Sequence, residues 1–172
     1  MTAPRLSGMH HVKIPVGDLD VALDWYQRVL GATRIEALDH VDSTGTRYAA
    51  ILQLPGLPFA LELRWAPAAA RAMRECDVIV FALDEPALFD DWITHLDALG
   101  VRHSPILGGG GGSVIVIADP DGKYLRLMAA PGGGLESLSV PANLDPEGPW
   151  LDAAPMRHPR PNSEPTSQRT AK

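Results

Sequence analysis

The stretch that decides the fold runs from Met9 to Gly31 and consists of MHHVKIPVGDLDVALDWYQRVLG. The part up to Val16 predicts a β-strand, because polar and apolar side chains alternate and successive side chains of a strand point to opposite faces. Gly17 predicts a turn, and Asp18 is a suitable N-cap for a helix. Apolar residues then recur at three- and four-residue spacing, which predicts one buried helical stripe that ends at Gly31. The stripe consists of Leu19, Ala22, Leu23, Tyr26, Val29 and Leu30.

A second copy of this plan lies at Cys76–Gly100. The apolar run Val78–Leu83 predicts its strand, and Pro86 suits the first turn of the following helix. Trp25 and Trp92 occupy corresponding places in the two helices. Further strand-like segments follow each helix, so the sequence predicts an α+β protein of two tandem βαβββ modules. The predicted strands are 33–40, 46–54 and 59–65 in the first module and 101–106, 113–118 and 123–129 in the second, with a loop at 108–112.

The composition is that of a globular protein with one irregular end. Apolar residues make up 45% of the 172 residues and charged residues 21%, which is enough for a packed interior. We predict a first module at 7–66, and a connector with the second module at 67–131. Proline becomes frequent after Gly132 and apolar periodicity is lost, so 132–172 is predicted to be an irregular, partly disordered tail.

Charge and hydropathy exclude several function classes. The net charge is −6 and no basic stripe stands out, which argues against a nucleic-acid partner. No apolar run approaches the ~20 residues that span a membrane, and the N-terminus has no signal-peptide core, so we expect a cytoplasmic protein without a membrane partner. The single cysteine, Cys76, excludes an intramolecular disulfide and a cysteine-cluster zinc site.

Two tandem modules, with HHVKIPVGDLD at 10–20 and DPDG at 119–122, resemble the vicinal oxygen chelate superfamily over about 7–131. This superfamily holds glyoxalase I, extradiol dioxygenases, bleomycin-resistance proteins and fosfomycin-resistance enzymes. The resemblance implies a glyoxalase-like fold in which the sheets form a half-open barrel around a cavity for a small molecule. It also implies a homodimer, since two chains pair in many members.

The resemblance further implies four metal-ligand positions, on the first and last strands of each module. His11 and Glu62 match the two positions of the first module. Val78 and Arg126 fall on the positions of the second module, and neither is a metal ligand. Asp77 lies next to Val78, but strand alternation predicts that it points to the other face.

Two ligands beside a guanidinium make a poor divalent metal site, because a catalytic site usually has three protein ligands. Recruits such as His40 or His103, or a residue of a partner chain, would be needed to complete it. We therefore expect no cofactor, with a divalent metal as the alternative.

If His11, Glu62 and Arg126 meet in one cavity, Arg126 replaces the charge of the metal by pairing with Glu62 and is the expected contact for a carboxylate or enolate of the ligand. A nearby arginine lowers the pKa of a carboxyl group, which counts against Glu62 as a general base and favours His11 as the acid/base group. Neighbouring His10 is expected to be structural. Predicted ligand-binding side chains are Lys13, Tyr48, Trp65, Tyr124 and Met128.

The leading prediction is a protein with a degraded metal site that binds an aromatic or amphipathic small molecule. It would either sequester this molecule or act on it by metal-independent acid/base chemistry. One alternative is a metal-dependent lyase, epimerase or dioxygenase of the glyoxalase I or extradiol type. Another is a scaffold without catalysis that serves dimer or partner contacts.

Overall fold

The computed structural model describes residues 3–109 and 112–129 of the chain. The predicted tail, 132–172, lies outside the described residues, and so do Gly110 and Gly111 of the predicted loop. Two mixed sheets with few helices form the described part, and they do not close into a barrel. This is the predicted tandem arrangement of modules.

The first module forms a sheet in the order β1-β5-β4-β2, in which β1 runs parallel to β5 and β4 antiparallel to it. The predicted strand at 33–40 is instead two short strands around a 3-10 turn. Asp39 explains the break, because its side chain accepts from Ile51 N and pairs with Arg34. The elements are β1 (His11–Val16), α1 (Leu19–Leu30), β2 (Thr33–Arg34), the 3-10 turn (Glu36–Leu38), β3 (His40–Val41), β4 (Arg47–Gln53) and β5 (Ala60–Trp65).

Helix α1 has the predicted ends. The Asp18 side chain accepts hydrogen bonds from Asp20 N and Val21 N, and Gly31 takes the left-handed conformation with φ 65°. Glycine has no Cβ to clash in that conformation, so the helix can end there. The predicted apolar stripe is buried against β4 and β5.

The second module forms a sheet in the order β6-β9-β8-β7. The predicted strand at 101–106 is wrong, since the segment makes only one bridge, between His103 and Ile117. Ser104 N donates to the Val116 carbonyl, and the Ser104 hydroxyl accepts from Val116 N. Pro105 has no N–H, so it cannot donate the next hydrogen bond of a ladder. The elements, after the connecting helix α2 (Pro67–Ala72), are β6 (Asp77–Ala82), α3 (Leu88–Ala98), β7 (Leu107–Gly109), β8 (Gly112–Ala118) and β9 (Tyr124–Ala129).

Each sheet has an inner face and an outer face. The inner faces and the helices share one apolar core, to which Leu61 and Leu63 contribute from the first sheet and Leu125 from the second. Strand alternation therefore places Glu62 and Arg126 on the outer faces. In the described ranges, no helix combines the length and the apolar character needed to cross a membrane.

The turn at 119–122 links the two modules. Tyr26 donates a hydrogen bond to Asp119 at 3.3 Å, and Gly17 N donates to both carboxylate oxygens of Asp121 at 3.1 Å. A Cβ at residue 17 would lie 2.6 Å from Asp121 Oδ1, so this approach requires glycine. Lys123 Nζ, fully buried, lies 2.8 Å from Asp119 and 3.1 Å from Asp121. Burial and the Asp119 charge raise the pKa of Tyr26 well above its ordinary value, so its hydroxyl remains a donor.

Replacing Lys123 by methionine should reduce the free energy of unfolding by about 3–5 kcal/mol, because the buried carboxylate of Asp119 and the partly buried one of Asp121 lose their cation. Urea unfolding followed by circular dichroism measures the change. Arg71→Met, on the exposed side of α2, is the control and should change stability by less than about 0.5 kcal/mol. A loss of less than 1 kcal/mol in Lys123→Met would show that the turn does not depend on this charge.

Candidate functional site

The outer face of the first sheet is centred on Glu62 of β5. Lys13 of β1 is its direct neighbour in the parallel register, and His11 lies two residues earlier on the same face. Glu62 is fully buried, whereas the side chain of Lys13 is 54% exposed and that of His11 is 29% exposed. The carboxylate thus lies beneath its cationic and aromatic neighbours.

Arg64, two residues beyond Glu62 on the same strand face, makes the main contact with the carboxylate. Its Nε donates to Oε1 at 2.6 Å, and its Nη2 also pairs with that oxygen. The other oxygen, Oε2, lies 3.2 Å from His11 Nε2 and 3.5 Å from Lys13 Nζ. Those two contacts lie at ion-pair distance, and Oε2 accepts no well-aligned hydrogen bond from the described residues.

The ionisation of Glu62 follows from these contacts. Burial by itself would raise the pKa of the carboxyl group, but the hydrogen bond and charge of Arg64, with smaller contributions from Lys13 and His40, lower it on balance. Glu62 is therefore a carboxylate at neutral pH. A base with a lowered pKa is a weak proton acceptor, which agrees with the argument against Glu62 as a general base.

Because the folded-state pKa lies below the ordinary value of 4.5, ionised Glu62 stabilises the fold above that pH. The stabilisation should be lost as the pH falls through the lower, folded-state pKa. Urea unfolding of the wild type and of Glu62→Gln from about pH 7 to pH 3 should therefore give a stability difference that shrinks toward acid. Glu36→Gln, at a 78% exposed side chain, is the control. A difference independent of pH would contradict the lowered pKa.

A β-bulge brings Tyr48 to this cluster. His40 pairs with Ala49 and Val41 pairs with Arg47, so Tyr48 is the extra residue on β4. The Arg64 guanidinium carbon lies 5.0 Å from the centre of the Tyr48 ring, and the ring centres of His40 and Tyr48 are 5.7 Å apart. Tyr48 and His40 thus form an aromatic wall beside Arg64.

Trp65 lies elsewhere. By strand alternation its side chain lies on the same face of β5 as Leu61 and Leu63. It is 58% exposed and lines a cleft of about 450 Å³ at the start of α1. Tyr48 lines the same cleft, so the cleft adjoins the outer-face cluster at that ring. Trp65 is predicted as a wall of the cavity around Glu62, whereas the structure places it in this adjoining cleft, so a ligand contact by Trp65 stays a prediction.

The outer face of the second sheet carries a separate ion pair. The predicted Glu62–Arg126 pair is wrong, because among the described residues Arg126 pairs with Asp77 and Glu62 pairs with Arg64. Tyr124 and Met128 lie on the Arg126 face of β9, packed against a small apolar cluster of Leu107, Val114 and Val116.

A second β-bulge explains the position of Asp77. Asp77 pairs with Tyr124 and Ile79 with Leu125, so the phase of β6 shifts between them, and Val78 packs against the core. The expectation that Asp77 points away from Arg126 was wrong for this reason. Asp77 pairs with Tyr124, two residues before Arg126 on β9. In the same way His11 pairs with Ala60, two residues before Glu62 on β5. Asp77 thus occupies the position equivalent to His11.

Sequence reasoning missed Arg64 and Asp77 as members of these clusters, and it named His40 only as a possible recruit to a metal site. Alternation contained the signal for Arg64, because residues two apart on a strand share a face. His40 comes from a short edge strand and Asp77 from a bulge, and neither position follows from periodicity.

A divalent metal does not fit the residues that the structure describes. They contain no group of three or more histidine, cysteine or acidic side chains arranged to hold a metal ion. Glu62 Oε1 is occupied by Arg64, whose fixed positive charge opposes a cation at that oxygen. His103, a suggested recruit, is instead bound to Asp97 and the Ser104 carbonyl.

The fold and these faces define a tandem βαβββ protein with one ion-pair cluster per module. The sequence profile of the Glyoxalase/Bleomycin resistance protein/Dioxygenase superfamily matches residues 8–127. The chain belongs to this superfamily. No curated protein sequence matches the chain.

Three solved structures illustrate the similarity. The fosfomycin resistance protein FosX from Listeria monocytogenes is 23% identical, with 77% of this chain and 98% of that chain covered and a TM-score of 0.58. TnmS3, an antibiotic binding protein from Streptomyces sp. CB03234, is 21% identical, with 75% and 100% covered and a TM-score of 0.60. Lactoylglutathione lyase from Agrobacterium tumefaciens is 19% identical, with 73% and 95% covered and a TM-score of 0.56. At these identities the similarity supports the fold.

Proposed function

We propose that the protein binds a small organic anion with an aromatic or amphipathic body on the outer face of the first sheet, without a divalent metal. The observation that carries this proposal is the position of Arg64 on the buried carboxylate of Glu62. Lys13 flanks the other oxygen, so two fixed cations face one anion. The excess positive charge favours a ligand carboxylate, phosphonate or enolate.

The cations are accessible to a ligand. The side chains of Lys13 and Arg64 are 54% and 32% exposed, although the carboxylate that they surround is fully buried. Tyr48 and His40 lie beside Arg64 and offer an apolar surface on which an aromatic body packs. Binding without covalent change is the simplest function of such a site, and acid/base chemistry would require His11 in addition.

A second copy of the chain is part of the proposal. Val80 of β6 is 54% exposed and lies next to Arg126 on the outer face of the second sheet. Among the strands that the structure describes, β1 and β6 each lie at the end of their sheet, where one side of the backbone can pair with another strand. We expect a homodimer in which the second sheet of one chain covers the first sheet of its partner. The pocket would then have Arg126, Tyr124 and Met128 on its opposite wall.

The relatives support a small ligand in this fold. TnmS3 is described as an antibiotic binding protein, and a FosX variant was crystallised with Mn(II) and dihydroxypropylphosphonic acid. Those are properties of the relatives. In this chain the guanidinium of Arg64 contacts the acidic group that matches a metal-ligand position, which favours binding of the TnmS3 kind over metal chemistry.

An aromatic carboxylate such as naphthoate should bind more tightly than its neutral amide, because only the carboxylate pairs with Lys13 and Arg64. Isothermal titration calorimetry measures both affinities. Lys13→Gln should weaken binding of the carboxylate by a factor of about 1.4 to 5, since an exposed ion pair contributes roughly 0.2–1 kcal/mol. Arg71→Gln, a charge loss away from the site, should leave the affinity unchanged.

Equal affinity for the carboxylate and the amide would contradict an anion site. The same calorimetry with Mn²⁺, Fe²⁺, Ni²⁺ and Zn²⁺ tests the metal-dependent alternative. Tight binding of one metal ion per chain that is lost in His11→Ala would overturn the metal-free proposal.

Val80→Asp should convert the dimer to a monomer, because it buries a charge at the centre of the proposed interface. Size-exclusion chromatography with light scattering measures the mass. Val21→Asp, on the exposed side of α1 at 53% exposure, is the matched control and should leave the dimer intact. A monomeric wild type, or an unaffected Val80→Asp dimer, would remove the second copy from the proposal.

A further inference from the structure

The exposed side chain of His10 contacts His11 directly. Their Nδ1 atoms are 2.7 Å apart, with ring centres 5.0 Å apart and an interplanar angle of 77°. The other ring nitrogen of His11, Nε2, lies 3.2 Å from Glu62 Oε2. A chain of three groups therefore leads from a fully buried carboxylate to a ring at the surface.

The carboxylate decides where the protons in this chain lie. A neutral imidazole has one N–H donor and one bare acceptor nitrogen. In His11 the proton belongs on Nε2, because this atom lies 3.2 Å from the negatively charged Glu62 oxygen, and a partly positive N–H is favoured beside that charge over a partly negative bare nitrogen. Nδ1 of His11 is then an acceptor, and the 2.7 Å contact requires the N–H on Nδ1 of His10. The Nε2 atom of His10 is left without a proton.

We propose that His10 Nε2 is the proton-accepting atom of the site, and that it accepts a hydrogen bond from an acidic hydroxyl group of the ligand, of the phenol or enol type. Glu62 and His11 are positioning residues that fix the tautomer of His10. The ligand class rests on the proposed function, since it assumes that the ligand binds on this face. The tautomer itself follows from the three side chains alone.

The other histidines that the structure describes have different surroundings. His95 Nε2 contacts the Val29 carbonyl, and both ring nitrogens of His103 have partners. His40 Nδ1 lies 3.3 Å from an Arg64 nitrogen. His10 is an exposed residue with a ring nitrogen directed away from its contact, so a ligand can reach it.

Heteronuclear NMR of the ring nitrogens at about pH 8, above the ordinary imidazole pKa of about 6.5, tests the tautomers. In the wild type, His11 should be protonated at Nε2 and His10 at Nδ1. Glu62→Gln should reverse both. Arg64 donates to the Oε1 position and selects the amide oxygen there, so the amide N–H group faces His11 Nε2. Glu36→Gln is the control and should leave both tautomers as in the wild type.

Protonation of His10 at Nε2 in the wild type, or unchanged tautomers in Glu62→Gln, would overturn the proposal.

The ligand class is tested with a naphthoate that carries a distal hydroxyl group and with its methyl ether. The hydroxyl compound should bind at least about threefold more tightly, and His10→Ala should abolish this preference. Equal binding of the two compounds to the wild type would overturn the ligand class. Failure of both compounds to bind would instead refute the proposed function, and the tautomer result would stand.

Discussion

The outer face of the first sheet depends on the contact between Arg64 and Glu62. A carboxylate that is fully buried without a cation is costly, and the charge-assisted hydrogen bonds of Arg64 offset that cost. The pair also fixes the direction of the carboxylate. One oxygen is bound by the guanidinium and the other faces His11 and Lys13. The charge of the site, the orientation of His11 and the tautomer inferred for His10 all follow from that arrangement.

The second module repeats this arrangement with different residues. Asp77 occupies the position equivalent to His11, and Arg126 the position equivalent to Glu62. In both modules an acidic side chain at one of these positions is paired with an arginine. Glu62 pairs with Arg64, two residues along the same strand, and Asp77 pairs with Arg126 on the neighbouring strand. Paired acids are poor metal ligands, because the guanidinium keeps its charge at any physiological pH.

The link between the modules is as polar as the candidate site. The buried Lys123, the two aspartates of the turn at 119–122, Tyr26 and the Gly17 backbone join the start of α1 to the end of the second sheet. Gly17 follows β1 directly, and β1 carries His11 and Lys13. The turn motif that helped to predict the family thus also fixes the end of the strand on which the site is built.

The sequence by itself determined the two modules, the capped helix α1 and the shared face of His11 and Lys13 on β1, because these follow from local periodicity and from residues that limit helices and turns. The choice of Glu62 came instead from the resemblance of the sequence to a known family. The predictions from the sequence were wrong for the strands at 33–40 and 101–106, where the side chains of Asp39 and Ser104 bond the backbone of a distant strand. The predicted direction of Asp77 was wrong because a bulge shifts the alternation of β6. Only the tertiary structure decided which arginine pairs with Glu62. Arg64 and Arg126 carry the same charge, and ion-pair strength depends on a distance in space that periodicity does not contain.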